Sequence, residues 1–167
     1  MSPRVVLVGP MGAGKSTVGA LLAEAWGTSA RDTDTDVEAV AGKTVSEIFL
    51  DDGEAAFRTL EKDAVAQALT GHDGVLSLGG GAVLDEQTRG LLEGQRVVFL
   101  KVGLSEAVKR VGLGTSRPLL LGNVRARIKA LLDERTPVYE SVATETVDTD
   151  GLTPEQVAEE ILRKVPA

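Results

Sequence analysis

The chain has 167 residues, 43% of them hydrophobic and 26% charged, the size and balance of one domain with one sizeable core. A formal net charge of −7 tells against broad nucleic-acid binding, and the lack of cysteine excludes disulfides and thiolate metal sites. No apolar run reaches the roughly 18 residues of a membrane span, and no basic segment precedes a signal core, so an unexported, cytoplasmic chain without membrane or nucleic-acid partners is expected.

Val5–Val8 is the first and clearest strand. It runs into Gly9-Pro10-Met11-Gly12-Ala13-Gly14-Lys15-Ser16, a full match to G-x-x-x-x-G-K-[ST], with Thr17 next. Lys15 to Ala25 then sets Val18, Leu21, Leu22 and Ala25 on one helical face. Thr28–Arg31 is a weaker strand, since Ser29 and Arg31 suit a sheet edge better than a buried position. Thr44 and Glu47 have capping-box spacing ahead of Ile48 and Phe49, and Glu54 to Leu69 places Phe57, Leu60, Ala64 and Ala68 at helical spacing. His72 lies in a Gly-His-Asp-Gly turn and is expected at the surface. Val75–Leu78 and Val97–Val102 are further strands. The glycine-bearing stretch 112–124 has no clean period and is expected to be a mobile lid. Asn123 can cap a helix to about Glu134, Thr146–Val147 with their neighbours mark the fifth strand, and Thr153-Pro154 is a cap followed by proline at the first helical position.

Strands alternating with helices imply parallel pairing and right-handed crossovers, hence an α/β fold: a three-layer α/β/α sandwich on a five-stranded parallel sheet. In the glycine loop, backbone N–H groups can curl around phosphate oxygens, and the helix that follows adds its positive dipole end. Gly12, Ala13, Gly14, Lys15, Ser16 and Thr17 are the expected ATP contacts. Lys15 is expected to reach the β- and γ-phosphates, with the Ser16 hydroxyl on Mg²⁺. A GTPase would show an acidic residue in D-x-x-G after its third strand and an N-K-x-D motif. Val-Leu-Ser-Leu precedes Gly79 instead, N-K-x-D is missing from the sequence, and the short length favours a small-molecule kinase.

Further motifs follow in order: Asp32-Thr33-Asp34 after the second strand, Phe57-Arg58-x-x-Glu61 on a helix, and Gly79-Gly80-Gly81-Ala82 ending the third strand. Arg117-Pro118-Leu119-Leu120 then falls in the lid, and Arg135 stands just before Pro137-x-Tyr139. From Pro3 to about Ile161 the chain resembles the shikimate kinases. The resemblance implies a P-loop NTPase fold of the nucleoside monophosphate kinase-like type, one kinase domain over 1–167, and ATP and shikimate as small-molecule partners of a monomer. It implies in-line transfer of the ATP γ-phosphoryl group to the shikimate 3-hydroxyl, in the chorismate pathway that supplies the aromatic amino acids.

Asp32 and Asp34 lie two apart, so a strand end would point both the same way. By resemblance Asp32 holds Mg²⁺ through its water shell, and Asp34 bonds the substrate hydroxyls as candidate base; Asp36 is expected to be a turn or cap residue. Arg58 and Glu61, three apart, can touch on a helix, which by itself also fits an ordinary surface ion pair. The functional reading has Glu61 orient Arg58, with Arg135 as a second arginine, because a carboxylate suits bidentate donors. Phe49 and Phe57 would wall the substrate ring, with plain core packing as the alternative for Phe49. Gly79, Gly80 and Gly81 would admit the substrate to backbone N–H groups, or merely give a flexible strand exit. Arg117 would swing over the phosphates, making Lys15, Asp34 and Arg117 the catalytic set. Arg110 and Pro154 resemble a pair that sandwiches adenine, and Arg110 also fits a solvated helix position. After Val147-Asp148-Thr149, where related enzymes often carry an arginine, this chain has Asp150-Gly151-Leu152. The alternatives are a gluconate kinase-like enzyme and an inactive nucleotide-binding paralogue. Asp-Thr-Asp with Gly-Gly-Gly tells against the first; retention of Lys15, Asp32, Asp34 and Arg117 tells against the second.

Overall fold

The computed structural model describes residues 2–113 and 124–166, apart from the side chains of 111–113. Strand β1 (Val5–Val8) is buried along its whole length, as its unbroken run of Val and Leu dictates for a strand covered on both faces. It pairs in parallel with β3 (Val75–Ser77) on one side and β4 (Val97–Lys101) on the other. Adding β2 (Ala30–Asp32) and β5 (Glu145–Asp148) at the two edges gives the parallel order β2-β3-β1-β4-β5.

The two faces of β1 lead to two cores. Val5 and Leu7 pack with Val18 and Leu22 of α1 (Lys15–Trp26) and with Val157 and Ile161 of α8 (Pro154–Lys164). Val6 and Val8 pack on the opposite face with Val65 and Leu69 of α4 (Glu54–Gly71) and Tyr139 of α7 (Val124–Val142). The strict alternation follows from the period of a strand, and it makes the three layers. A third, smaller cluster of Val37, Ile48, Phe57 and Ala64 joins α4 to α2 (Thr33–Ala41) and α3 (Val45–Asp51), building a flap beside the sheet. A 3₁₀ turn (Ala82–Leu84) and α5 (Glu86–Leu91) follow β3, and α6 (Leu104–Leu113) follows β4.

Several expectations need correction. The second strand begins at Ala30 rather than Thr28, because Thr28 N–H is still bonded to Ala23 O in the cap of α1. It does lie at the sheet edge. The third and fourth strands each stop one residue early, whereas the fifth, Glu145–Asp148, is Thr146–Val147 with one neighbour on each side, as expected. Helix α7 does not end near Glu134 but continues through Pro137 to Val142. Proline removes one helical hydrogen bond, yet Tyr139, with Val138 and Val142 beside it, is packed against the sheet, and that burial outweighs the loss. His72 is buried, not superficial; its Nε2 lies 3.2 Å from the Val75 carbonyl oxygen. The expected cap Asn123 and the expected lid lie outside the described residues, except for 112, 113 and 124.

Candidate active site

The strands are parallel, so their C-terminal ends share one edge, where the chain leaves β1, β2 and β3 for the glycine loop, Asp32 and Gly79. Ligands of open α/β sheets bind along that edge. The loop depends on its glycines. Gly9 has φ 151 and a Cβ there would stand 2.7 Å from Leu100 O, while Gly14 caps α1 at φ 91 with no side-chain cap bond. The first amides of α1 are thereby left to an anion.

Lys15 Nζ donates to the carbonyl oxygens of Gly9 (2.6 Å) and Pro10 (3.0 Å). Burial lowers its pKa to about 8, against the opposing pull of Asp32 and Asp34. Ser16 Oγ donates to Asp32 Oδ2 at 3.0 Å, and Asp32 Oδ1 accepts from Asp34 N at 2.8 Å. The two acids are therefore not side-by-side residues of one strand end. β2 stops at Asp32, which caps α2, and Asp34 stands in the first helical turn. Asp36, in the same turn, is neither turn nor cap residue but pairs with Arg31 at 2.7 Å.

Ser16 and Asp32 form a hydroxyl–carboxylate pair of hard oxygen donors. No cluster of three acidic or imidazole groups suited to a metal occurs among the described residues. That set fits Mg²⁺, which takes one or two protein oxygens and completes its shell with phosphate and water.

Asp34 Oδ1 is buried with no hydrogen-bond partner among the described residues. Burial raises the Asp34 pKa, helped by the charge on Asp32 and opposed by Lys15. Glu61 Oε2 lies nearby: a Cβ on Gly79 would meet Asp34 Oδ1 at 2.7 Å and Glu61 Oε2 at 2.8 Å. Only glycine leaves room for both acids. Glu61 is itself buried, which raises its pKa, and its Oε1 accepts from Arg58 Nη1 at 2.8 Å. Arg58 Nη2 also reaches Glu54, at 3.4 Å, and the guanidinium lies 5.2 Å from the centre of the Phe57 ring. The pair is thus anchored on a buried carboxylate and is no ordinary surface bridge. Phe57 is buried; Phe49, 37% exposed, leans on it with ring centres 4.8 Å apart. Arg135 Nε is the second buried polar atom without a partner among the described residues.

One cavity of about 600 Å³ gathers most of the expected set. Gly12, Gly14, Lys15, Ser16, Thr17 and Asp32 line its phosphate end. Asp34, Phe49, Phe57, Arg58, Glu61, Gly79, Gly80, Gly81 and Arg135 line the acceptor end. Ala13, Arg110 and Pro154 line a neighbouring cavity of about 250 Å³ that shares Gly12 and Gly14. Arg110 is not simply solvated: its Nη1 donates to Gly12 O at 3.0 Å and approaches Thr149 Oγ1 at 3.4 Å. Asp150 is not part of this lining and accepts from Gly103 N at 3.0 and 3.1 Å. Arg117 lies outside the described residues.

The site also contains Thr33, Glu54, Leu131 and Thr149, to which the sequence motifs give no role. Thr33 is fully buried and its hydroxyl accepts from Gly79 N at 3.2 Å, tying the acidic segment to the glycine run. Its place inside Asp-Thr-Asp was the available signal. Leu131 lines the cavity while 44% exposed, and no local pattern sets it apart from other helix leucines.

Comparison with known proteins agrees with this geometry. The family model described as shikimate kinase matches residues 11–166. Shikimate kinase of Thermobifida fusca is 59% identical over 165 residues, which cover 99% of this chain and 96% of that protein. Shikimate kinase of Salinispora arenicola is 62% identical over 161 residues, 96% of each chain. The solved structure of shikimate kinase from Acinetobacter baumannii in complex with shikimate superposes with a TM-score of 0.89 at 35% identity, covering 99% of this chain and 93% of that one. With the phosphate loop, the paired acids and the two arginines in one cleft, the chain belongs to the shikimate kinase family.

Proposed function

We propose that this chain transfers the γ-phosphoryl group of ATP to the 3-hydroxyl of shikimate, giving shikimate 3-phosphate and ADP. The observation that carries the reading is the sharing of one cavity by a phosphate loop at one end and two arginines at the other, with Asp34 between. Arg58 and Arg135 grip the acceptor carboxylate, and the buried Glu61 holds Arg58 in place for it. Arg135 has a buried Nε still to be paired, as a group awaiting an anion would. Phe57 and Phe49 wall the ring. The acceptor hydroxyl meets Asp34, whose raised pKa moves a carboxylate towards use as a base, and whose buried Oδ1 is free to take the bond.

At the donor end the loop amides and Lys15 hold the β- and γ-phosphates. Ser16 and Asp32 would hold Mg²⁺, which when bound offsets the phosphate charge. Arg110 and Pro154 enclose the adenine. Lys15, Asp34 and Arg117 are the catalytic residues, with Arg117 arriving from a lid over 112–124. One kinase domain spans 1–167 and works as a monomer in the cytoplasm; no described helix is long and apolar enough to cross a membrane.

A coupled ADP-release assay with shikimate, gluconate and nucleoside monophosphates as acceptors tests the reading. Shikimate should give turnover on the order of 10–100 s⁻¹ and the others little, within the usual kinase range. Preference for gluconate, or no transfer to any acceptor, refutes it.

A further inference from the structure

We infer that Tyr139 is a positioning residue for the acceptor site, aiming an amide of the Gly79–Gly81 run by holding the Gly80 carbonyl. Tyr139 is 1% exposed, and its hydroxyl donates to Gly80 O at 2.6 Å. The ring is fixed from behind by Phe99 of β4, with ring centres 5.0 Å apart. The hydroxyl is thus held by the core of the sheet, not by a mobile side chain. Arg135 precedes Tyr139 by four residues on α7, so the two share one face of that helix. Both meet Gly80. A Cβ there would lie 3.8 Å from Arg135 Nη1, with Met11 N at 3.5 Å and Gly9 O at 3.7 Å. Gly80 is therefore packed between the phosphate loop and α7.

The consequence follows from peptide geometry. In a planar trans peptide the carbonyl and the next N–H point in opposite directions. Turning Gly80 O towards Tyr139 turns Gly81 N–H away from it, and Gly81 lines the acceptor end of the cavity. Without the hydroxyl this peptide loses its one phenolic anchor and can rotate, because glycines on both sides impose few steric limits. Tyr139 touches no reacting group. It acts through the Gly80–Gly81 peptide and keeps Arg135 and that amide in a fixed relation.

The inference rests on the acceptor reading above, and the test separates the two. Tyr139→Phe removes one hydroxyl and keeps the ring on Phe99. We expect the KM for shikimate to rise about five- to tenfold, the equivalent of one net hydrogen bond, with the KM for ATP changed less than about twofold. Hydrogen exchange at the Gly80 to Ala82 amides should be faster in the variant, whatever the acceptor. A lower thermal midpoint with the shikimate KM unchanged, or with both KM values raised alike, would mean a role in packing alone and overturn the inference. Unaltered exchange would overturn it too. A wild-type enzyme inactive on shikimate would sink the acceptor reading instead, leaving the exchange comparison to decide the role of Tyr139.

Discussion

At the scale of single residues, the acceptor end is built from groups that the fold would be more stable without. Asp34 has a raised pKa chiefly because it is buried, and its Oδ1 lacks a partner among the described residues. Between the ordinary carboxylate pKa and the raised one, the folded state binds more protons than the unfolded chain. Stability therefore falls as pH rises through that window, and above it the ionised carboxylate is a net cost. Asp34→Asn should raise the thermal midpoint while lowering kcat by about 10²–10⁴-fold, the usual contribution of a positioned base. Calorimetry and steady-state kinetics check the two halves, and a destabilised variant would show that Asp34 is structural. Lys15 makes the companion case. Its pKa of about 8 means that the free enzyme loses the ammonium as pH rises past that value. ATP binds the charged form, so its KM should climb above pH 8 and binding there should take up a proton. Titration calorimetry in buffers of different ionisation enthalpy measures the uptake; none at pH 8.5–9 would count against Lys15 as the phosphate cation.

Among the elements, those around the site are placed by contacts between loops far apart in sequence. Helix α6 carries Arg110 over the phosphate loop, and its start is held from elsewhere. Gly103, whose carbonyl accepts from Ala107 N at 2.9 Å, donates its own N–H to both carboxylate oxygens of Asp150. Thr149, beside Asp150, donates to Lys101 O at 2.9 Å and receives Arg110 at 3.4 Å. Asp150 thus supplies an anion to the first turn of α6 from the β5–α8 connection, a placement worth roughly 0.3–1 kcal/mol at an exposed site. Our hypothesis is that Asp150→Ala raises the KM for ATP about two- to fivefold and leaves that for shikimate alone. Asp150→Asn, which keeps one acceptor oxygen, should recover part of the loss. An unchanged ATP KM in the alanine variant would mean that Ala107 packing and Arg110 alone set α6.

For the whole molecule, the acidic balance of the chain extends into the cavity, where Asp32, Asp34, Glu54 and Glu61 stand among the cations, so the anionic substrates depend on where those cations are placed. Lys15, Arg58 and Arg135 all face one cavity, although the formal net charge is −7. Under the proposed function, Arg117 acts on the phosphoryl group in the transition state and shields it from water as a rival acceptor. An interaction made mainly in the transition state lowers kcat with little change in KM. Arg117→Ala should therefore cut kcat by ~10³-fold, as loss of an arginine finger does, and raise the share of ATP hydrolysed without phosphorylated product. Counting ADP and shikimate 3-phosphate separately gives both quantities. A variant with normal kcat and a raised ATP KM would mark Arg117 as a ground-state nucleotide contact.

The sequence by itself determined the layers and the donor end. The Val-Val-Leu-Val run can only be a doubly covered strand, and eight consecutive residues of the phosphate motif carry their chemistry in their own backbone, so no distant partner is needed to recognise them. The capping box at Thr44 and the cap at Thr153 were legible for the same reason, their partners lying within one turn, although the structure shows that Gln156 makes the second a full box as well. What only the tertiary structure decided concerns pairs that are remote in sequence. Thr33 with Gly79, Tyr139 with Gly80, Arg110 with Gly12 and Asp150 with Gly103 leave no local period or propensity to read. Helix α7 passes Pro137 because of the core it meets, against its own propensity. His72 is buried with its ring nitrogen against the Val75 carbonyl, although its turn sequence reads as exposed. Local sequence sets which backbone shapes are cheap, whereas burial and long-range hydrogen bonds set which of them the folded chain adopts.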